Sequence, residues 1–402
     1  MQAPSRSTDQ PQSILAGWLI DGLGAPARCN VRITIVQGRI VGLEESQPDG
    51  NRPVSMDLSN ATVLPALMDA HVHLVFSGTR DARIRQQQLA PSDQEANAVI
   101  SAHLEQHARH GVCAVRDGGD RYGHVPEFIK SAGTRGIQGV HVSVTCWAWH
   151  AANRYGRMIG HRPDHGLDLA AALAKHLHAI DHVKVINSGL NSLKRFGQPT
   201  APQFPLDALK VAVSQAHAKG LPVMVHANGR VPVGDAIEAG CDSIEHGYFM
   251  GSENLTRMAD KSIAWVPTAI PMAALARDHS LTSEQRDVAR RTLDHQLEQI
   301  RQGLELGVPI VLGTDAGSIG VDHGGAVAQE MALLVSAGLS MEQAVRSATG
   351  RAARLLGIAD GGVIMPGRRA DLISVAGSPR NLLSGLASVE MICLEGRWRK
   401  RA

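Results

Sequence analysis

Two histidines separated by a single residue, His71 and His73 in the string PALMDAHVHL, carry the first chemical signal in this sequence. On an extended strand, side chains two positions apart project from the same face, so the two imidazoles converge on one point and form a chelating pair. Further residues of chemical interest recur in short apolar runs downstream: Lys184 in VKVINSG, His226 in VMVHANG, His246 in SIEHG and Asp315 in VLGTDAG. A lone H-x-H carries little information. Candidate ligands placed at the ends of several runs point to one metal centre. Lys184 needs its own account, because an ammonium cannot ligate a cation; by residue type alone it is a salt-bridge partner or a substrate-binding charge.

The elements that must position these residues are legible as runs of apolar residues, each followed by a stretch of helical periodicity. The runs are ATVLPALMDAHVHL (61–74), VCAVRDGG (112–119), VHVSVTC (140–146), HVKVINSG (182–189), PVMVHANG (222–229), SIEHG (243–247), AWVPTAI (264–270) and PIVLGTD (309–315). That alternation predicts an α/β protein whose parallel strands close into a (β/α)8, TIM-like barrel. An open doubly wound sheet would carry a Gly-rich phosphate turn after its first strand, and none is present. In such a barrel the C-terminal strand ends form the active site, which is where His71, His73, Lys184, His226, His246 and Asp315 fall. The flanks alternate short strands with Gly, Asn and Asp turns, as in NVRITIVQGRIVGLEE and SVEMICLEGRWRK. Neither flank alone has enough strands to bury a face, so the two are expected to pair. The predicted boundaries are 1–66 and 362–402 for this β domain and 67–361 for the barrel.

With 402 residues and a formal net charge of +2, the chain has no bulk attraction to nucleic acid or membrane, and its expected partner is a small molecule. The five cysteines are scattered without C-x-x-C spacing, which argues against a disulfide framework or a cysteine zinc site and fits a cytoplasmic location. No signal peptide or membrane span is expected. Of the 19 histidines, His103, His107, His110, His176, His178 and His217 lie in polar, alanine-rich helical stretches and are expected on solvated faces.

Taken together, these strings resemble the amidohydrolase superfamily over nearly the whole chain. HGGAVAQEMALLVSAGLSMEQAVRSATGRAARLLG (323–357) and GVIMPGRRADLISVAGSP (363–379) resemble the branch holding imidazolonepropionase-like proteins and the Xaa-Pro and Xaa-Arg dipeptidases. The resemblance implies a barrel inserted into a small β-sandwich built from both termini, and members of this branch often form homo-oligomers. It also implies that Lys184 is carboxylated to a carbamate bridging two divalent ions. His71, His73, Lys184 and Asp315 would then surround one ion, and Lys184, His226 and His246 the other. A mononuclear site with unmodified Lys184 is the competing reading. Imidazole and carboxylate ligands suit zinc, and also cobalt or manganese.

The expected reaction is hydrolysis of an amide C–N bond in a dipeptide or N-acyl amino acid. Its nucleophile would be a hydroxide bridging the two metals, with Asp315 as proton shuttle. No serine or cysteine nucleophile is needed; Ser188 and Cys146 lack sequence-local partners for one. His150, in the Trp- and His-rich loop CWAWHAANRYGRMIGHR, is expected to face the substrate. Tyr248 and His323 are candidates for lining the pocket, and Arg154, Arg157, Arg162 and Arg195 for gripping a carboxylate. Opening of a cyclic amide or deamination of an aromatic ring is the alternative. Against deamination, His226 is followed by Ala227, Asn228 and Gly229 where deaminases typically place a glutamate soon after the histidine. Lactonase or phosphotriesterase activity, and a non-catalytic metal-binding scaffold, complete the alternatives.

Overall fold

The computed structural model describes residues 10–45, 53–132 and 139–400, so residues 1–9 of the expected β domain lie outside the described residues. Both flanks enter one sheet of seven strands: Gln12–Leu19, Arg28–Val36, Arg39–Glu45 and Met56–Pro65 from the N-terminal side, with Leu372–Ala376, Met391–Leu394 and Arg397–Lys400 from the other. The join is antiparallel, Pro65 facing Leu372 and Ala61 facing Ala376. The hairpin between Val36 and Arg39 turns on Gln37 and Gly38, both at positive φ, the geometry that matches the right-handed twist of the strands it joins. This sheet has its own core of Ile14, Ile33, Ile35, Val63, Ile364 and Leu372.

The remaining strands are parallel and follow the helical alternation. Leu67–Val72, Val112–Asp117 and His141–Ser143 form one sheet. Ala264–Val266, Ser243–His246, Val223–Ala227, Val183–Ile186, Ala148–Trp149 and Gly160–His161 form the other in that order. Segment 309–316 bridges the two sheets with main-chain bonds: Val311 N donates to Trp265 O (2.8 Å), Ala70 N to Leu312 O (3.0 Å) and Asp315 N to His71 O (2.7 Å). On the far side Asp181 N donates to Val144 O (2.8 Å). Three of the connecting helices begin with reciprocal capping boxes, Ser92 with Glu95, Thr282 with Gln285 and Ser340 with Gln343, each satisfying otherwise orphaned N–H groups. Among the described residues no helix is long and apolar enough to cross a membrane.

Three sequence expectations change. The run 61–74 is two strands, because Met56–Pro65 belongs to the terminal sheet and the parallel set starts at Leu67. The run at 309–315 is held by isolated bridges rather than a regular strand. His103 and His107 are buried, not solvated. They share the inward stripe of helix Asp93–Arg109 with Ala96, Ile100, Leu104 and Ala108, and position on that stripe outweighs their polarity.

Candidate metal centre

The ligand-type residues emerge where the parallel strands end. His71 and His73 leave the Leu67–Val72 strand, His226 and His246 lie at the ends of theirs, and Asp315 lies near the end of the bridging segment. His246 (φ 64°) and Asp315 (φ 57°) are non-glycine residues in the left-handed region, as is the β-branched Thr268 (φ 43°) beside His246. Strain of this kind persists only where the surroundings over-determine it, and it concentrates at functional sites.

His71, His73 and Asp315 present ligand atoms that all lie within 4.8 Å of one another, a group able to hold a metal ion. Asp315 Oδ1 is 3.6 Å from His71 Nε2 and 3.5 Å from His73 Nε2. His226 and His246 form an adjoining pair with ring centroids 4.6 Å apart, and the His246 ring is 5.0 Å from that of His71.

Behind these rings a second layer fixes orientation. His71 Nδ1 is 2.7 Å from Glu245 Oε2, His73 Nδ1 is 3.0 Å from Gly119 O, and His246 Nδ1 is 2.6 Å from Thr268 Oγ1. Each of these contacts occupies Nδ1 and leaves Nε2 for the site, the arrangement that presents a metal-ligating histidine. Glu245 is itself held by Arg116 Nη2 (2.8 Å) and Ser243 Oγ (2.6 Å). Asp69 accepts from Thr314 N, Thr314 Oγ1 and His71 N, tying the start of the site to its end. Two glycines make room: a Cβ on Gly118 would lie 2.6 Å from His73 Cε1, and one on Gly313 would lie 3.0 Å from His71 Cβ.

Lys184 is 1% exposed, and its Nζ finds no hydrogen-bond partner among the described residues. Its charge acts on His71, His73, His226, His246 and Asp315 alike. Burial lowers Lys184 to about 8, opposed by the nearby Glu245 carboxylate. Burial also raises Asp315 to about 7, and lowers His73 to about 4 and His226 to about 3. The imidazoles are therefore neutral, the form that ligates a cation.

The other expected residues divide. His150 lies just beyond the Ala148–Trp149 strand, 5% exposed, with Nδ1 2.9 Å from Ala151 O. Its loop is pinned by Gln203, which accepts from Ala151 N and donates to the carbonyls of Tyr155 and Ser188. The Tyr248 hydroxyl donates to Thr268 O at 3.0 Å. His323 has both nitrogens engaged, Nδ1 with His107 Nε2 (3.0 Å) and Nε2 with Phe76 O (2.8 Å), and its ring stacks on His103 at 3.9 Å. Arg154 bonds Ala201 O at 2.9 Å, and it is exposed together with Arg157, Arg162 and Arg195. Ser188 Oγ is engaged with Gly189 O and Asn228 N, and burial raises the Cys146 thiol, so neither is set up as a nucleophile.

Sequence reasoning passed over Glu245, Arg116, Asp69 and Tyr155. The signal for Arg116 and Glu245 was a charge inside an otherwise apolar or tightly packed strand, as in VCAVRD and SIEH. Tyr155 has its ring 5.4 Å from that of His226, and burial together with the charge of Asp315 pushes its phenol upward.

The chain is 27% identical over 410 residues to an uncharacterised protein of Mycobacterium tuberculosis, covering 97% of this chain and 98% of that one. It is 27% identical over 398 residues to the imidazolonepropionase of Cutibacterium acnes, covering 92% and 90%. Among solved structures, a Xaa-Pro dipeptidase with methionine bound in its active site aligns with a TM-score of 0.78 and 27% identity, over 97% of this chain and 100% of that one. The sequence pattern of the Amidohydrolase family matches residues 62–399, and the chain belongs to that family.

Proposed function

We propose that the chain is a metal-dependent hydrolase that cleaves the amide C–N bond of a small substrate, a dipeptide or an N-acyl amino acid. The site would stand on a (β/α)8 barrel of residues 67–361, flanked by a β-sandwich of residues 1–66 and 362–402. The observation that carries this reading is Lys184 Nζ, buried with no hydrogen-bond partner among the described residues, its charge felt by four imidazoles and by Asp315. An unpaired buried ammonium costs on the order of several kcal/mol, so its retention calls for a function. Carboxylation answers that demand: the free amine, a fraction of Lys184 favoured by burial, adds to carbon dioxide, and the resulting carbamate replaces a cation with an anionic oxygen ligand.

The donor types suit divalent ions of the zinc type: His71, His73 and Asp315 would hold one ion, His226 and His246 a second, and carboxylated Lys184 would supply oxygen ligands to both. Ions bound there would supply Lewis acidity and lower the pKa of water to make a nucleophile at neutral pH. The chain's own residues supply the rest. Asp315, 15% exposed and bonded through Oδ2 to Ser318 Oγ at 2.9 Å, offers Oδ1 to take a proton from attacking water and return it to the leaving nitrogen. His150 and Tyr155, on the loop pinned by Gln203, would contact the substrate, and Tyr248 would line the same side. The similarity to a Xaa-Pro dipeptidase across nearly the full length of both chains supports a peptide-like substrate.

Metal analysis of protein purified in bicarbonate with added zinc, combined with a screen of pooled dipeptides and N-acyl amino acids, tests the proposal. The expected result is two metals per chain and release of free amino acid. One metal per chain with release of ammonia would overturn it in favour of deamination.

A further inference from the structure

A cavity of about 1010 Å³ opens at the opposite end of the parallel strands from the metal centre. Its wall includes the residues that begin those strands, Pro222, Asp242, Ala264 and Pro309, whereas the candidate ligands lie where the strands end. The other wall comes from helices Met341–Ser347 and Gly350–Leu355, which contribute Arg346, Arg351 and Arg354.

Among the described residues none of these three arginines forms an ion pair, and the Arg351 guanidinium reaches only the Ile310 carbonyl, at 3.3 Å. The acids of the lining, Asp181 and Asp242, are already hydrogen-bonded. Asp181 accepts from Val144 N, and Asp242 accepts from His217 Nε2 and Val223 N. Arg346 and Arg354 sit in the last turns of their helices, where the helix dipole favours a cation. Arg351 sits in a first turn, where the dipole opposes it, and it is half-buried. Burial and the charges of Arg346 and Arg354 lower it to about 10. Arg346, Arg351 and Arg354, with Arg368 also in the lining, outnumber the two acids Asp181 and Asp242, an excess of positive charge that a bound anion would relieve. The concave shape and its volume suit a small molecule rather than a flat macromolecular surface.

We propose that this cavity binds a small anion carrying two or more negative charges, a phosphate ester or a polycarboxylate, gripped by Arg346, Arg351 and Arg354. Guanidinium groups suit both, because their paired N–H groups match the oxygen spacing of phosphate and carboxylate. The site is separate from the metal centre, yet the two share a wall: Arg116 lines the cavity and also holds Glu245.

Calorimetric titration of the full-length protein with fructose 1,6-bisphosphate, and separately with tricarballylate, against sodium chloride of matched ionic strength, tests this. Saturable binding of one probe is expected and identifies whether phosphate or carboxylate is preferred. Arg351→Gln and Arg354→Gln should each weaken it about tenfold. Arg354 is exposed, so its variant keeps the test sound if Arg351→Gln fails to fold. Arg301→Gln, remote on another helix, and His71→Ala, at the metal centre, should leave binding unchanged. Heats no different from chloride for both probes, binding that survives the Arg354 substitution, or binding lost with His71→Ala would each overturn the proposal.

Discussion

Glu245 Oε2 lies 2.7 Å from His71 Nδ1, with both side chains almost completely buried, and the other Glu245 oxygen is held by Arg116 at 2.8 Å. One carboxylate thereby sets the tautomer of a candidate ligand and neutralises a buried guanidinium. Glu245→Gln keeps the shape but removes the charge that Arg116 and His71 share. Loss of such a partner behind a ligating histidine typically weakens metal binding by about 10- to 100-fold. Competition against a chromogenic chelator should show that loss, and the apo protein should also lose about 3 kcal/mol of stability as Arg116 is left unpaired. Unchanged zinc affinity would refute the orienting role.

Lys184 makes the opposite prediction for stability. Lys184→Met removes an unpartnered buried ammonium while keeping most of the side-chain volume. The metal-free variant should therefore be more stable than the parent, by about 1–3 kcal/mol, while the metal-loaded variant loses activity. Urea unfolding of both proteins in chelator measures the first effect. A destabilised apo variant would mean that Lys184 has a structural partner. Labelling the parent with ¹³C-bicarbonate should give a carbamate carbon resonance that Lys184→Met lacks.

The candidate ligands stand out in the sequence because each falls within or next to a short apolar run, and spacing two on a strand means one face. What surrounds them was not readable, because the partners are remote in the chain. Arg116 meets Glu245 across 129 positions and Asp69 meets Thr314 across 245. The helical histidines failed for another reason. His103 and His107 are polar by type yet fall on the same period as Ile100 and Leu104, and the period decides burial. The pairing of the two flanks was legible, since neither could bury a face alone; the division of 61–74 between two sheets was not, because the apolar run continues through the junction.

Gly118 is a steric prediction. Its φ is outside the left-handed region, so alanine is tolerated by the backbone, but the added Cβ would stand 2.6 Å from His73 Cε1 and 2.9 Å from Nε2. Gly118→Ala must displace the His73 ring, with an overpacking cost of about 1–3 kcal/mol. A displacement of about 1 Å at a reacting centre can lower turnover by about 100-fold. Steady-state kinetics on the substrate found by screening, together with metal content, should show reduced kcat and weaker metal retention. Full activity in Gly118→Ala would mean that His73 is not a ligand.

The buried histidines outside the candidate metal centre predict acid lability. Burial lowers His107 to about 3, and the neighbouring His103 adds to the effect. A histidine depressed in the folded state binds its proton in the unfolded chain first, so its penalty is absent above the unfolded value of about 6.5 and grows as pH falls toward the folded value. At pH 5 the cost of keeping His107 neutral approaches about 2 kcal/mol. His107→Gln removes the titrating ring, so the stability difference between pH 7.5 and pH 5 should shrink by about that amount. The comparison belongs in chelator, since metal release at low pH would otherwise add its own slope. Urea midpoints for parent and variant that fall in parallel between the two pH values would show that His107 is protonated equally in the folded and unfolded chains.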